Sequence, residues 1–153
     1  MTEDHGRTLR FEEPARVPRD AVFLGWGPVI PFPIAAIWLW LGGPDGLVSV
    51  MHVWAAALLV FLSGVRRGLS FRTPGGWTWA QFAIFAILFW AGIAAILLPA
   101  EPALVLLAVV FASLAVIDPV SADREEAPLW FRRLRPGQML LAGVGLAGIW
   151  WHG

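Results

Sequence analysis

Apolar residues in this chain collect into five long stretches, at residues 21–41, 47–69, 79–98, 103–118 and 135–151, and the charged residues gather in the gaps between them. None of the stretches alternates apolar with polar positions, as a half-buried strand would. Runs of roughly 20 apolar residues are what an α-helix needs to cross a hydrocarbon layer. No water reaches the bilayer core, so each backbone N–H and C=O must be satisfied within the segment, which a helix does. The pattern predicts an all-α, polytopic membrane protein. It comprises a polar N-terminal tail over residues 1–20 and one five-transmembrane-helix bundle over residues 21–153.

Proline and glycine refine the boundaries. Pro28, Pro31 and Pro33 fall in the first half of the first stretch, where missing donors and ring clashes predict a broken start, with regular helix from about Ile34. Gly42-Gly43-Pro44-Asp45-Gly46 predicts a sharp reversal, and Pro99 and Pro102 bracket a second tight turn at Glu101. Pro119 is expected to stop the fourth helix just after Asp118. The uncharged parts of the last two stretches, 103–117 and 137–151, would each span about 22 Å, short of a hydrocarbon core of about 30 Å. Flanking residues or local thinning must then complete them, or this pair forms a hairpin that dips in and returns.

Composition strengthens the membrane reading. The chain has 153 residues, 58% of them hydrophobic, and a mean hydropathy of +0.70, more apolar surface than a water-soluble globule of this size can cover. All 11 basic residues are arginines. Four precede the first stretch, Arg66, Arg67 and Arg72 close the second, and Arg124, Arg132, Arg133 and Arg135 lie between the fourth and the fifth. The positive-inside rule then places the N-terminus in the cytoplasm and the C-terminus outside a bacterial inner membrane, with the mitochondrial inner membrane as the alternative. Acidic residues interleave with arginine in the first 20 positions, which excludes a secretory signal and argues against a transit peptide. This tail is expected to be partly disordered. Tryptophan fits the same frame. Trp38, Trp40, Trp54, Trp150 and Trp151 mark one interface, Trp26, Trp77, Trp79 and Trp130 the other, and Trp90 sits deeper. With no cysteine and a net charge of zero, disulfides, thiolate metal sites and nucleic-acid binding are set aside.

Few residues offer chemistry. Arg66 and Arg67 lie about 100° apart around a helix, so one can reach headgroups while the other faces the bundle. Asp118 ends the fourth stretch on the same leaflet, and a carboxylate at membrane depth generally pairs, so Asp118 is expected to bond Arg66 or Arg67. The alternative leaves these groups solvated at the interface. Gly64 and Gly68, and Gly143 and Ala147 with nearby Gly145 and Gly148, have the small-residue spacing that lets helices approach closely, within the bundle or in a homo-oligomer. The stretch from Ala127 to Arg135 sets Leu129, Trp130, Phe131 and Leu134 among three arginines, as in an elbow lying in the headgroup plane. His52 and His152 fall on one side of the membrane, the minimum for a haem or metal ligand pair, without further ligands in view. No hydrolase triad, paired catalytic carboxylates, zinc motif or phosphate-cradling loop is present.

Leu62-Ser63-Gly64-Val65-Arg66-Arg67-Gly68-Leu69 resembles a motif of the transmembrane protein 69-like family, also grouped as a domain of unknown function. Leu24-Gly25-Trp26-Gly27-Pro28-Val29-Ile30-Pro31-Phe32 is similar to the family's opening span, Asp118 to its acidic end of span four, and Pro128-Leu129-Trp130-Phe131-Arg132-Arg133-Leu134-Arg135 to the run before its last span. Arg67 departs from the pattern, standing where many relatives carry an aromatic residue. The resemblance implies a five-span bacterial inner-membrane or mitochondrial protein without assigned activity, and it supplies no catalytic residue.

These observations lead to a non-enzymatic integral membrane protein, an accessory or assembly subunit of a larger complex, with no cofactor. Its expected partners are lipids, other integral membrane proteins or copies of itself, and not nucleic acid. The alternatives are a small transporter or channel with a polar site near Arg66 and Asp118, and a redox protein using His52 and His152.

Overall fold

Helix covers most of the computed structural model, which describes residue 17 and residues 19–73 and 75–153. The expectation for the tail falls almost wholly outside them. No strand occurs among the described residues. Six helices follow in chain order among the described residues: α1 (Arg19–Trp26), α2 (Pro31–Trp40), α3 (Gly46–Ser70), α4 (Trp79–Leu97), α5 (Ala100–Asp123) and α6 (Phe131–His152).

The proline cluster breaks the first stretch into α1 and α2, as its missing donors require. The break is shorter than the sequence predicts. Helix begins before it, at Arg19, and resumes at Pro31, because proline fits the first turn of a helix, where the N–H would have no partner. The carbonyl of Pro28 accepts a bond from the indole of Trp54 at 2.9 Å. At the far end, Gly42 adopts a φ of 91°, and its N–H and that of Gly43 return to Leu39 and Trp38. This is a Schellman cap, which needs a residue free of the left-handed penalty.

Two boundaries differ more. Glu101 and Pro102 lie in the first turn of α5 and not in the preceding connection. Pro119 lies inside α5, which runs on to Asp123. One proline removes a single ladder bond, and here the turn beyond it is retained by the packing of Ser121 and Ala122, both buried. Pro136 is likewise inside α6. The last two helices are therefore 24 and 22 residues long, about 36 and 33 Å, and the predicted shortfall disappears.

Among the described residues, four segments are long and apolar enough to cross a membrane: Arg19–Trp40, Gly46–Ser70, Trp79–Leu97 and Ala100–Asp123. Their outer faces are apolar too, with Phe23 79%, Ile37 62%, Trp90 66% and Leu97 80% exposed. α6 does not reach that standard. It carries Arg132, Arg133 and Arg135 in its first two turns, and glycine at 137, 143, 145 and 148. It packs along α5 on one side and α2 on the other, where Met139, Ala142, Leu146 and Ile149 are buried. A helix shielded by protein has less need of a lipid-soluble surface. The α3–α4 hairpin closes the bundle against α5.

Small residues allow these approaches. A β-carbon added at Gly145 would stand 2.7 Å from the Pro33 nitrogen, and one at Gly143 would stand 3.1 Å from the Ala108 carbonyl oxygen. Gly92 of α4 meets Val60 and the Ala56 carbonyl of α3 in the same way. Ala147, by contrast, is exposed, and an added carbon at Gly64 or Gly68 would find nothing within 4 Å. Among the described residues, therefore, Gly64, Gly68 and Ala147 make no close approach within the bundle of the kind that Gly143 makes. The inward stripe of α3 runs through Ala55, Leu59, Leu62, Ser63 and Arg66, and both glycines fall off it.

Candidate functional site

Arg66 follows Leu59, Leu62 and Ser63 along the inward stripe of α3, so its helical register carries the guanidinium into the bundle. Asp118 occupies the matching position on α5, in phase with Phe111, Leu114 and Ala115. Their side chains are only 7% and 3% exposed, and Arg66 Nη2 donates to Asp118 Oδ1. Arg67 does not join them. One step round the helix, it donates to Ser70 Oγ at 3.0 Å and stands over the Phe71 ring at 4.5 Å.

The second cation is Arg135 of α6, whose Nε lies 3.6 Å from Asp118 Oδ2 with 11% of its side chain exposed. Its guanidinium also covers the Phe131 ring at 4.6 Å. The predicted interfacial elbow is thus divided. α6 starts at Phe131, which is buried, so only the turn before it lies outside the helices. Sequence reasoning missed Arg135 by treating Arg132, Arg133 and Arg135 alike. Arg135 alone of the three falls four residues after Phe131 and four before Met139, on the buried face. Two buried guanidinium groups therefore share one carboxylate, leaving a net positive charge in a region that penalises it.

Beside the cluster, Gln138 is fully buried, yet among the described residues neither its amide nitrogen nor its amide oxygen has a hydrogen-bond partner; nor has Arg135 Nε. The Gln138 amide lies under Gly25, where a β-carbon would collide with it. These groups line a cleft of about 270 Å³ bounded by α1, α3 and α6, with walls that include Leu24, Leu58 and Phe61 and with Asp20 and Trp130 among its polar residues. α1 has no buried residue and packs mainly on α6, which leaves this gap on its other side. A smaller space of about 10 Å³ touches Arg66, Asp118 and Arg135 together.

A second polar group lies in the loops at this end of the bundle. Thr78 and Gln81 form a capping box at the start of α4, and both reach the α5–α6 connection. Thr78 Oγ1 donates to Glu126 Oε1 at 2.7 Å, and Gln81 Nε2 donates to the Glu126 carbonyl at 3.2 Å and to Thr73 Oγ1 at 2.6 Å. The Thr-x-x-Gln spacing before an apolar run is a readable capping signal, but its link to Glu126 is not. The clasp brings Arg72 and Arg124 to the same end as the Arg66 cluster.

The histidines are held separately. His52 Nε2 donates to the Ala95 carbonyl at 2.6 Å, joining α3 to α4, while His152 meets the edge of Trp40 with ring centroids 6.2 Å apart. Among the described residues, no group of three or more His, Cys, Asp or Glu side chains is placed to hold a metal. Trp40 also donates to the Gly148 carbonyl at 3.2 Å, pinning α2 to α6.

No curated protein and no solved structure matches this chain. The sequence profile of one family, described as protein of unknown function (DUF3429), matches residues 17–151, a span that includes the six helices but for the last residue of α6, with the charged cluster and the cleft. With that match over most of its length, the chain belongs to the DUF3429 family.

Proposed function

We propose that the protein is a non-catalytic subunit of a larger membrane assembly, seated in a bacterial cytoplasmic membrane and binding its partner through α3. The outward ridge at Gly64 and Gly68 carries this reading. The two glycines present no side chain there, nothing among the described residues lies within 4 Å of a β-carbon added at either, and glycines at this spacing let a second helix approach to backbone contact. In this reading α6 is a fifth traverse, the arginine-bearing end faces the cytoplasm, and kinship with transmembrane protein 69-like proteins accounts for the motifs around Arg66 and Trp130.

The test is affinity purification in mild detergent of the wild type and of a Gly64→Leu/Gly68→Leu variant. A distinct membrane protein should accompany the wild type and be lost from the variant, with the thermal midpoint of the variant unchanged. Recovery of monomer alone, or of a homo-oligomer alone, would overturn the accessory role.

A small transporter is the second reading, favoured by the buried Arg66–Asp118–Arg135 set and by the break between α1 and α2, since interrupted helices expose backbone groups near charged sites. Against it, Ser63 is buried, donates to the Val60 carbonyl at 2.6 Å and lines neither cavity beside the cluster. Charge movement in proteoliposomes that depends on Asp118 would favour this second reading over the first.

A further inference from the structure

We infer that the cleft between α1, α3 and α6 is a site for one glycerophospholipid, its phosphate held by Arg135 and Gln138 and the upper part of an acyl chain lying along Leu24, Leu58 and Phe61. The inference rests on hydrocarbon surrounding the bundle and is independent of the accessory-subunit reading.

Three observations converge on that occupant. The walls are mostly aliphatic and aromatic, whereas the Gln138 amide is fully buried and, among the described residues, unpartnered at both heavy atoms, and Arg135 Nε, 3.6 Å from Asp118 Oδ2, makes no hydrogen bond there. A buried amide left without partners costs free energy that a ligand able to hydrogen-bond it recovers. The charges agree, because Arg66 and Arg135 together exceed the single buried carboxylate of Asp118, the Asp20 carboxylate in the same cleft is exposed and screened by solvent, and an anion at Arg135 balances the excess. The size also agrees. About 270 Å³ is slightly less than an ordinary small-molecule pocket, enough for the part of a lipid nearest its headgroup, with the remaining chain left in the bilayer.

Asp20 selects among phospholipids. Its exposed carboxylate lines the same cleft, so a headgroup bearing an amine complements it and a headgroup of net negative charge meets repulsion. The site is thus assigned to a zwitterionic lipid of the phosphatidylethanolamine kind in preference to phosphatidylglycerol.

Native mass spectrometry on delipidated full-length protein in neutral detergent tests this, with phosphatidylethanolamine, phosphatidylglycerol, diacylglycerol and inorganic phosphate added separately. One phosphatidylethanolamine should be retained about tenfold better than diacylglycerol, about 1.4 kcal/mol by the usual relation, and better than phosphatidylglycerol. Gln138→Leu should lose most of that preference. Leu24→Trp, at a position 74% exposed and clear of the charged cluster, should block the cleft while leaving the fold intact. Asp20→Asn should reverse the order of the two phospholipids. Equal retention of diacylglycerol, or undiminished binding to Leu24→Trp, would overturn the site. Retention of inorganic phosphate without lipid would overturn the bilayer as its source. Tighter phosphatidylglycerol binding by the wild type would overturn the part assigned to Asp20.

Discussion

Arg66 on α3 and Asp118 on α5, 52 residues apart in the chain, form an ion pair buried on both sides. Removing Asp118 leaves both Arg66 and Arg135 without a counter-charge in a dry environment, whereas removing Arg66 as well leaves only Arg135 uncompensated. Asp118→Ala is therefore expected to cost about 3–5 kcal/mol of unfolding free energy in detergent. Because two cations then lose their counter-charge, Asp118→Ala should be more damaging than Arg66→Ala. The Arg66→Ala/Asp118→Ala double variant should lose clearly less than the sum of the single losses. A denaturation cycle with strictly additive losses would show that the pair is not coupled.

Glycine substitutions separate the closed side of the bundle from the open one. Gly145→Ala forces a methyl group against the backbone of Pro33 and Phe32, which cannot move away as a flexible side chain could, and a loss of about 1–3 kcal/mol is expected. Gly64→Ala meets nothing within 4 Å among the described residues and should be neutral or slightly stabilising, since alanine favours helix. Thermal melts of the two variants side by side read the difference. Equal midpoints would refute the close α2–α6 contact.

Thr78 serves two purposes, capping α4 through the Gln81 N–H and bonding the Glu126 carboxylate. Thr78→Val keeps the shape and removes both bonds, for a loss of about 1–2 kcal/mol. Backbone amide exchange should rise in both connections, at residues around Gly76 and around Glu126, and not only at the substituted loop. Protection that stays unchanged near Glu126 would mean the clasp does not couple the two hairpins.

Arginine placement makes a topological prediction for the proposed five-traverse reading. The chain contains no cysteine, so single cysteines can be read against a silent background. Cysteine at Arg124 should react with a membrane-impermeant maleimide only after the cells are opened, and cysteine at Asp45 should react in intact cells. The same side for both would remove the odd number of crossings.

The helices, their all-α class and most of their limits were legible because they depend on local rules. Uninterrupted apolar length, proline breaks and the left-handed Gly42 each act within a few residues of their own position. The burial of Arg66 and Asp118 was also foreseeable, since a charge in phase with an apolar stripe must find a partner. What followed only from the assembled bundle was which groups met. Arg135 joined Arg66 at Asp118 because α6 begins at Phe131, so that Arg135 turns inward, and Gly64 and Gly68 faced out because the inward stripe of α3 ran through Arg66.

From the sequence alone came a membrane-embedded helical chain with its arginines gathered at alternate connections. Tertiary packing decided that α6 would lie against α5 and α2, that Gln138 would be buried without a partner, and that α1 would leave a cleft beside α3. The physical reason is range. Hydropathy and helix-breaking are properties of neighbouring residues, whereas a charge partner or an open cleft depends on how several helix faces come together, and that is set by every contact at once.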